Sequence, residues 1–253
     1  MSVESNQPQI NKTKRGKKGK KRSSIADTTH AIGTPTTALS LDTQLSAATM
    51  PLPRQVLVIS IGNPGTLQHT YHSAGHMVVN SIQHLLGHSQ PRFDFQRLGH
   101  ARTCASLGSR YLLMQSPVAM NISGEWAAKA YKEQLQQRGL QPRDLGFVVV
   151  HDDLEEALGV VRVRPWDKSA RGHNGLKSLQ QKMMKPVNAP WARVSIGIGR
   201  PESRTDLQVR RMGVVDFVLS KVPPDERRML EGGVSEAALD HIRALDQRWT
   251  ITP

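Results

Sequence analysis

Four short segments put polar side chains directly after apolar runs, at places where the chain is expected to turn. These segments are Gly62-Asn63-Pro64-Gly65 with Tyr71-His72-Ser73, Met120-Asn121-Ile122-Ser123-Gly124, His151-Asp152-Asp153-Leu154 and Gly172-His173-Asn174-Gly175. Taken one at a time, each has an ordinary structural explanation, because asparagine and glycine are common turn residues. In open α/β sheets, however, ligands bind at the ends of strands, so together the segments predict one shared site.

The residue types in these segments suit the hydrolysis of an ester. A histidine such as His72 titrates near neutrality and can take a proton from water. A carboxylate such as Asp152 can hold the other ring nitrogen and stabilise the imidazolium that forms. The carboxamides of Asn63, Asn121 and Asn174 can hold water, the acyl group and the developing oxyanion. This chemistry requires no cofactor and no metal, and the sequence contains no convincing set of metal ligands.

The elements that must position these residues follow from the hydrophobic pattern. Strands are predicted at 56–61, 101–107, 111–114, 147–151, 160–163, 194–198 and 214–219. Helices are predicted at 74–86, from 123 to about 139, at 176–184 and from about 225 to 245, with Ser123 as an N-cap. Strands that alternate with helices indicate a single α/β domain in which a mixed, mostly parallel sheet is sandwiched between helices.

The first 53 residues have a different composition, and we expect residues 54–253 to form the folded domain. The composition of residues 1–53 predicts a disordered basic tail and linker, in which Lys12 to Arg22 form a nearly continuous run of charge. This run of charge is compatible with a nuclear or nucleolar targeting signal, an RNA-binding arm or a solvated tail. A mitochondrial transit peptide is a poorer match, because Gly16 and Gly19 interrupt it. We expect a cytoplasmic protein, with the mitochondrion as the alternative.

Charge and composition narrow the class of partner. The chain carries a net +13, of which residues 1–50 contribute +5 and the remainder +8. A folded body that stays basic without its tail favours RNA or DNA as partner. The chain has one cysteine, Cys104, so no internal disulfide can form. It has no apolar run long enough to span a membrane, and we expect no secretory signal.

Six motifs, in order, resemble those of the bacterial-type peptidyl-tRNA hydrolases. They are 56–75 (VLVISIGNPGTLQHTYHSAG), 117–124 (PVAMNISG), 148–154 (VVVHDDL), 172–176 (GHNGL), 193–199 (RVSIGIG) and 215–224 (VDFVLSKVPP). The resemblance covers about residues 54–245. It implies a monomer without a cofactor that cleaves the ester between a peptide, or an N-blocked aminoacyl group, and the 3′ end of tRNA. Contact with the ribosome is left open.

The resemblance also implies roles for individual residues. His72 matches the catalytic base, and Asp152 matches the carboxylate that orients it. Asn63, Asn121 and Asn174 match the asparagines that bind substrate and position water, and Met120 and His173 line the same pocket. Arg162 and Arg164 match basic residues that contact tRNA phosphates.

This chain departs from the family pattern in two loops and on one strand. The family's Arg-His-Asn triplet is here Tyr71-His72-Ser73, and the segment before it is one residue shorter and lacks the family's tyrosine. The glycine-rich loop before Gly172 is replaced by residues 166–171 (WDKSAR), and Ser195 stands where the family often has an arginine. Two alternatives therefore stay open: a non-catalytic RNA-binding protein on the same fold, and a hydrolase of another nucleotide-linked ester.

Overall fold

The computed structural model describes residues 55–251. The predicted disordered tail and linker, residues 1–53, lie outside the described residues, and the domain boundary at residue 54 stays a prediction. Among the described residues, no helix combines the length and the apolar character needed to cross a bilayer.

One seven-stranded sheet forms the centre of the fold, in the order β2-β3-β4-β1-β5-β7-β6. The strands are β1 (Gln55–Ser60), β2 (Asp94–Leu98), β3 (Ala101–Leu107), β4 (Tyr111–Gln115), β5 (Leu145–Asp153), β6 (Val161–Pro165) and β7 (Trp191–Gly197). The four adjacent strands β4, β1, β5 and β7 are parallel, whereas β2–β3, β3–β4 and β6–β7 pair antiparallel. The predicted mixed α/β sheet is therefore confirmed.

The helices cover both faces of the sheet. They are α1 (Ala74–Leu85), α2 (Ser123–Arg138), α3 (Asn174–Lys182), α4 (Leu207–Arg210), α5 (Val214–Val218), α6 (Pro224–Met229) and α7 (Ser235–Ile251). Alternate residues of β1 face opposite layers: Val58 packs with α1 and α7, and Leu57 with α2 and α3. Because both faces of the central strands are covered, these strands are apolar along nearly their whole length.

The prediction of a strand at 214–219 is wrong. Residues Val214–Val218 form the short helix α5, in which the Phe217 amide donates to the Gly213 carbonyl at 2.9 Å. The β-branched residues Val214 and Val215 favour a strand locally. In the fold these two side chains are exposed and Phe217 alone is fully buried, so one side of a helical turn meets the core.

Three further features differ from the sequence predictions: a missed strand, a divided helix and the start of α2. The strand β2 was missed because four of its five side chains are exposed or half-buried, which leaves no clear apolar alternation. The last predicted helix is divided into α6 and α7 by a π-helical segment, Leu230–Val234, with a kink at Gly232. Ser123 is the first residue of α2 rather than its N-cap, and its hydroxyl is 3.1 Å from that of Ser116.

The helices α2 and α3 approach closely at Gly124. A Cβ atom at this position would overlap the backbone carbonyl of Ser178, and the Gly124 amide donates to the Ser178 hydroxyl at 3.0 Å. Asn121 lies just before α2 and Asn174 begins α3. The close contact of the two helices therefore sets the distance between these two asparagines.

We predict that Gly124→Ala lowers the free energy of unfolding by about 1–3 kcal/mol, because the added methyl group must push α2 away from α3. Thermal unfolding should show a melting temperature lower by roughly 3–10 °C. Gly233→Ala is the matched control, since nothing lies within 4 Å of a Cβ there. Equal melting temperatures for the two variants would show that α2 and α3 can separate at no cost.

Candidate active site

The polar segments meet in one cavity of about 550 Å³ at the carboxyl ends of β1, β4 and β5. Its wall includes all seven residues predicted as catalytic or substrate-binding, namely Asn63, His72, Met120, Asn121, Asp152, His173 and Asn174. Four of these residues lie in segments that follow the parallel strands β1 and β4, and Asp152 belongs to the end of β5 itself. The sheet therefore brings together residues that are far apart in the sequence.

The carboxylate of Asp152 accepts hydrogen bonds from two histidines. The Nδ1 atom of His72 lies 3.0 and 2.9 Å from its two oxygens, and the Nε2 atom of His173 lies 3.0 Å from Oδ1. Because a carboxylate only accepts, both ring nitrogens carry protons when the rings are neutral. The remaining nitrogen of His173 accepts from the Leu176 amide at 3.3 Å. The Nε2 atom of His72 is therefore an unprotonated base.

Burial and charge act in opposite directions on the dyad. Burial by itself would lower the pKa of His72, but the charge and hydrogen bond of Asp152 outweigh it and raise that pKa above its ordinary value. Burial likewise opposes ionisation of Asp152, yet His72 and His173 together hold its pKa well below the usual range. Asp152 therefore stays ionised, and His72 titrates above its ordinary value of 6.5.

His151 is a third histidine in the wall, and it behaves differently. Burial, with a smaller effect of His173, lowers its pKa to about 3, so the ring is neutral at physiological pH. Its Nδ1 atom donates to the Asp152 carbonyl at 2.7 Å, and its buried Nε2 atom has no hydrogen-bond partner among the described residues. His151 therefore packs against the dyad without sharing its charge.

The asparagines differ in how strongly the protein holds them. The Oδ1 atom of Asn63 accepts from the Met120 amide at 3.1 Å, which leaves its NH₂ group as the available donor. Asn121 and Asn174 line the cavity as exposed residues. Met120 itself is buried, with 4% of its surface exposed. The three asparagines therefore share the cavity with His72.

His72, Asp152 and His173 also form the one group of potential metal ligands found in residues 55–251. Their ligating atoms lie within 4.8 Å of one another. Two histidines and a carboxylate are a suitable ligand set for a transition metal. The hydrogen bonds from the two rings already give the carboxylate its partners, so the arrangement is also complete as a hydrogen-bonded dyad with a second histidine.

Comparison with known proteins identifies the family. The sequence profile of the family described as "Peptidyl-tRNA hydrolase" matches residues 57–249. The chain belongs to the peptidyl-tRNA hydrolase family. A peptidyl-tRNA hydrolase of Geotalea uraniireducens is 35% identical over 181 residues, which is 70% of this chain and 84% of that protein. One from Brevibacillus brevis is 35% identical over 184 residues, or 72% and 87% of the two chains.

Solved structures have the same fold. A peptidyl-tRNA hydrolase from Acinetobacter baumannii superposes with a TM-score of 0.56 at 22% identity, covering 79% of this chain and 92% of that chain. An Arg119Gln mutant of the enzyme from the same organism gives a TM-score of 0.56 at 23% identity, with 78% and 90% covered. At this level of identity the likeness extends to the fold.

In the altered triplet, the two residues that flank His72 form contacts with neighbouring segments. The Tyr71 ring stacks on Phe217 at 4.6 Å, and its hydroxyl donates to Glu226 at 2.7 Å. The Ser73 hydroxyl accepts from the Asn63 amide at 3.0 Å and lies 2.9 Å from the Leu67 carbonyl, to which it donates. The two residues that flank His72 therefore hold the turn of Asn63 and the C-terminal part of the chain in place.

The two arginines predicted to contact phosphates project from the same face of β6, as their spacing implies. Both form ion pairs with Glu156: Arg162 through Nε at 2.9 Å, and Arg164 through Nη2. Arg164 also lies 3.6 Å from Asp153. Of the two, Arg164 is part of the cavity wall, whereas Arg162 is 56% exposed outside it.

Four basic residues of the wall received no role from the sequence. They are Lys168, Arg171, Arg193 and Arg200. A signal existed for Arg193, because a charged residue inside the mostly apolar strand β7 is unusual for a fully covered sheet. The exposed cations gave no such signal, since charged residues are normal in loops.

We predict that the pKa of His72, measured by NMR titration of its ring, lies above 6.5 in the wild type and falls in Asp152→Asn. The substitution removes the charge that raises this pKa and leaves the opposing effect of burial. His84, an exposed histidine on α1, provides an internal reference in both proteins. A His72 pKa that stays the same or rises in the variant would contradict the electrostatic account.

Proposed function

We propose that the chain hydrolyses the ester between a peptide, or an N-blocked aminoacyl group, and the 3′ end of tRNA, with His72 as the general base. Membership of the peptidyl-tRNA hydrolase family supports the reaction and the substrate. The observation that carries the assignment of the base is the hydrogen bond from His72 to Asp152, because it keeps the proton on Nδ1 and leaves Nε2 of this cavity residue unprotonated.

The reaction needs one water and no other reactant. The Nε2 atom of His72 takes a proton from water as its oxygen attacks the carbonyl carbon of the ester. Asp152 stays ionised and stabilises the imidazolium cation that results. The tetrahedral intermediate then expels the 3′ oxygen of the ribose, which takes the proton back from His72. The products are a peptide with a free carboxyl group and a free tRNA.

The asparagines supply donors where negative charge develops. The NH₂ group of Asn63 and the carboxamides of Asn121 and Asn174 can hold the attacking water and the carbonyl oxygen of the ester. Asn63 is the most restricted of the three, because its Oδ1 atom is bound to the Met120 amide. His173 also donates to the Asp152 carboxylate and helps to keep it in place. We propose substrate-binding roles for the three asparagines, Met120 and His173, and His173 in addition positions Asp152.

The charge of the cavity and its rim suits a polyanionic substrate. The wall carries five lysine and arginine side chains against three carboxylates. Arg162 and Arg164 extend this surface along β6, where phosphates of the acceptor stem can compete with Glu156 for their guanidinium groups. We assign phosphate contacts to both arginines.

All groups in the proposed mechanism come from one chain, which supports action as a monomer. We propose a cytoplasmic location, with the mitochondrion as the alternative; family relatives from bacteria support the first. Binding of the ribosome remains outside this proposal.

We predict that His72→Ala lowers the turnover of peptidyl-tRNA by at least about a hundredfold, since a general base contributes this much or more. The affinity for tRNA should change little, because the exposed cations remain. Single-turnover hydrolysis and a tRNA-binding titration measure the two effects.

The control for this variant is His84→Ala, which removes an exposed histidine from α1, away from the cavity. Retention of more than about a tenth of the turnover by His72→Ala would exclude His72 as the base. If the wild-type protein binds tRNA but never hydrolyses peptidyl-tRNA, the chain is a binding protein and not an enzyme.

We predict that Arg162→Ala/Arg164→Ala raises KM for peptidyl-tRNA and flattens its dependence on salt, by up to about one unit of logarithmic slope for each phosphate contact that is lost. Turnover at saturating substrate should persist. Removal of residues 1–50 should preserve that turnover as well, because the run of charge lies outside the motifs of the site.

A triple variant distinguishes the loss of a phosphate contact from repulsion of the phosphate by an unpaired carboxylate. The double substitution leaves Glu156 without its two partners, so Glu156→Gln is added in a triple variant that removes this charge. KM should remain high in the triple variant. A return of KM to the wild-type value would show that the unpaired carboxylate, and not a lost phosphate contact, caused the rise.

A further inference from the structure

The loop between β6 and α3 forms a basic wall of the cavity that the proposed mechanism does not use. Lys168 and Arg171 are exposed residues of this wall, and neither forms an ion pair with any residue in the part of the chain that the structure describes. Arg171 also adopts a positive φ of 47°, which is unusual for a residue other than glycine. Two unpaired cations therefore face the space beside the dyad.

A buried arginine lies beneath this loop. Arg193 is only 2% exposed, and its guanidinium donates from Nε to the Pro165 carbonyl at 3.1 Å and from Nη2 to the Lys168 carbonyl at 2.8 Å. Its Nη1 atom is buried and has no acceptor among the described residues. Since buried N–H groups are nearly always paired, this donor is suited to an acceptor that a ligand brings into the cavity.

The acidic side chains of the wall only partly offset these cations. Asp153 lies 3.6 Å from Arg164, and Glu155 pairs with Arg200 at 2.5 Å. Asp152 is held by the two histidines. The charge of Arg171 also helps to lower the pKa of Glu155, so this carboxylate offsets part of the charge of the loop. The wall nevertheless carries five lysine and arginine side chains against three carboxylates, so an excess of positive charge remains along it.

We propose that Lys168, Arg171 and the Nη1 group of Arg193 form a subsite for the phosphodiester that precedes the 3′-terminal nucleoside of tRNA. This proposal rests on the proposed function and specifies the part of the substrate that the loop binds. Arg171 lies two residues before His173, so their Cα atoms are at most about 7.6 Å apart. The phosphodiester is separated from the reacting 3′ oxygen by one ribose, which suits a subsite so close to the dyad.

The experiment compares two minimal substrates with the same neutral N-acetylated dipeptide. In the first substrate the dipeptide is esterified to the 3′ oxygen of adenosine, which carries no phosphodiester. In the second it is esterified to the 3′ oxygen of a trinucleotide that ends in adenosine, which carries phosphodiesters. In Lys168→Gln/Arg171→Asn, KM for the trinucleotide ester should rise about tenfold more than KM for the adenosine ester, as expected when charge-assisted hydrogen bonds are lost. Asparagine suits position 171 because it tolerates positive φ.

The matched control is Lys132→Gln/Arg228→Asn, which removes the same charge from exposed positions outside the cavity wall. It should change KM for the two esters equally. An equal change for both esters in Lys168→Gln/Arg171→Asn would overturn the subsite, because general electrostatics or a contact to adenosine or peptide would then explain it. Failure of the wild-type protein to cleave either ester or peptidyl-tRNA would instead count against the proposed function.

The contribution of Arg193 is tested with Arg193→Lys, which keeps the charge but cannot donate to two carbonyls and a phosphate in one plane. We expect the same selective rise in KM for the trinucleotide ester. A folded Arg193→Lys protein with wild-type KM for both esters would remove Arg193 from the subsite. If the variant has a lowered melting temperature, the comparison of the exposed pair with its control decides the proposal alone.

Discussion

The carboxylate of Asp152 lies almost fully buried at the end of a central strand, where two histidines from different segments donate hydrogen bonds to it. A buried charge is costly unless it is paired, so the fold must keep both rings in place for Asp152 to ionise. The same contacts determine which nitrogen of His72 is free to act as a base. Charge, tautomer and position of the candidate base therefore depend on one group.

The segments that depart from the family pattern are held by aromatic packing. Trp166, which begins the altered loop, lies 5.6 Å from Phe147 and 4.9 Å from Trp191, measured between ring centroids. Tyr71 stacks on Phe217 in the other altered segment. Such anchors bury large apolar areas, which restricts the loops that carry His72 and His173. The changed sequences therefore still hold both loops against the hydrophobic core.

Much of the fold could be predicted from the sequence, because the central strands are continuous apolar runs and α1 has a clear apolar face. The prediction failed where burial was partial or one-sided. The edge strand β2 has mostly exposed side chains, and the segment of α5 is rich in β-branched residues although only Phe217 is fully buried. In both cases the tertiary environment, and not local propensity, decided the structure.

The sequence alone determined the residue types of the candidate site, the likeness to a family and the positive charge of the body, since these are properties of composition, order and spacing. Only the tertiary structure decided that Asp152 contacts two histidines, that Glu156 binds both Arg162 and Arg164, and that Arg193 lies beneath the loop at Lys168. These contacts join residues on different strands and loops. Their distances and burial arise from the pairing of the strands and the packing of the helices on the sheet, which no local pattern specifies.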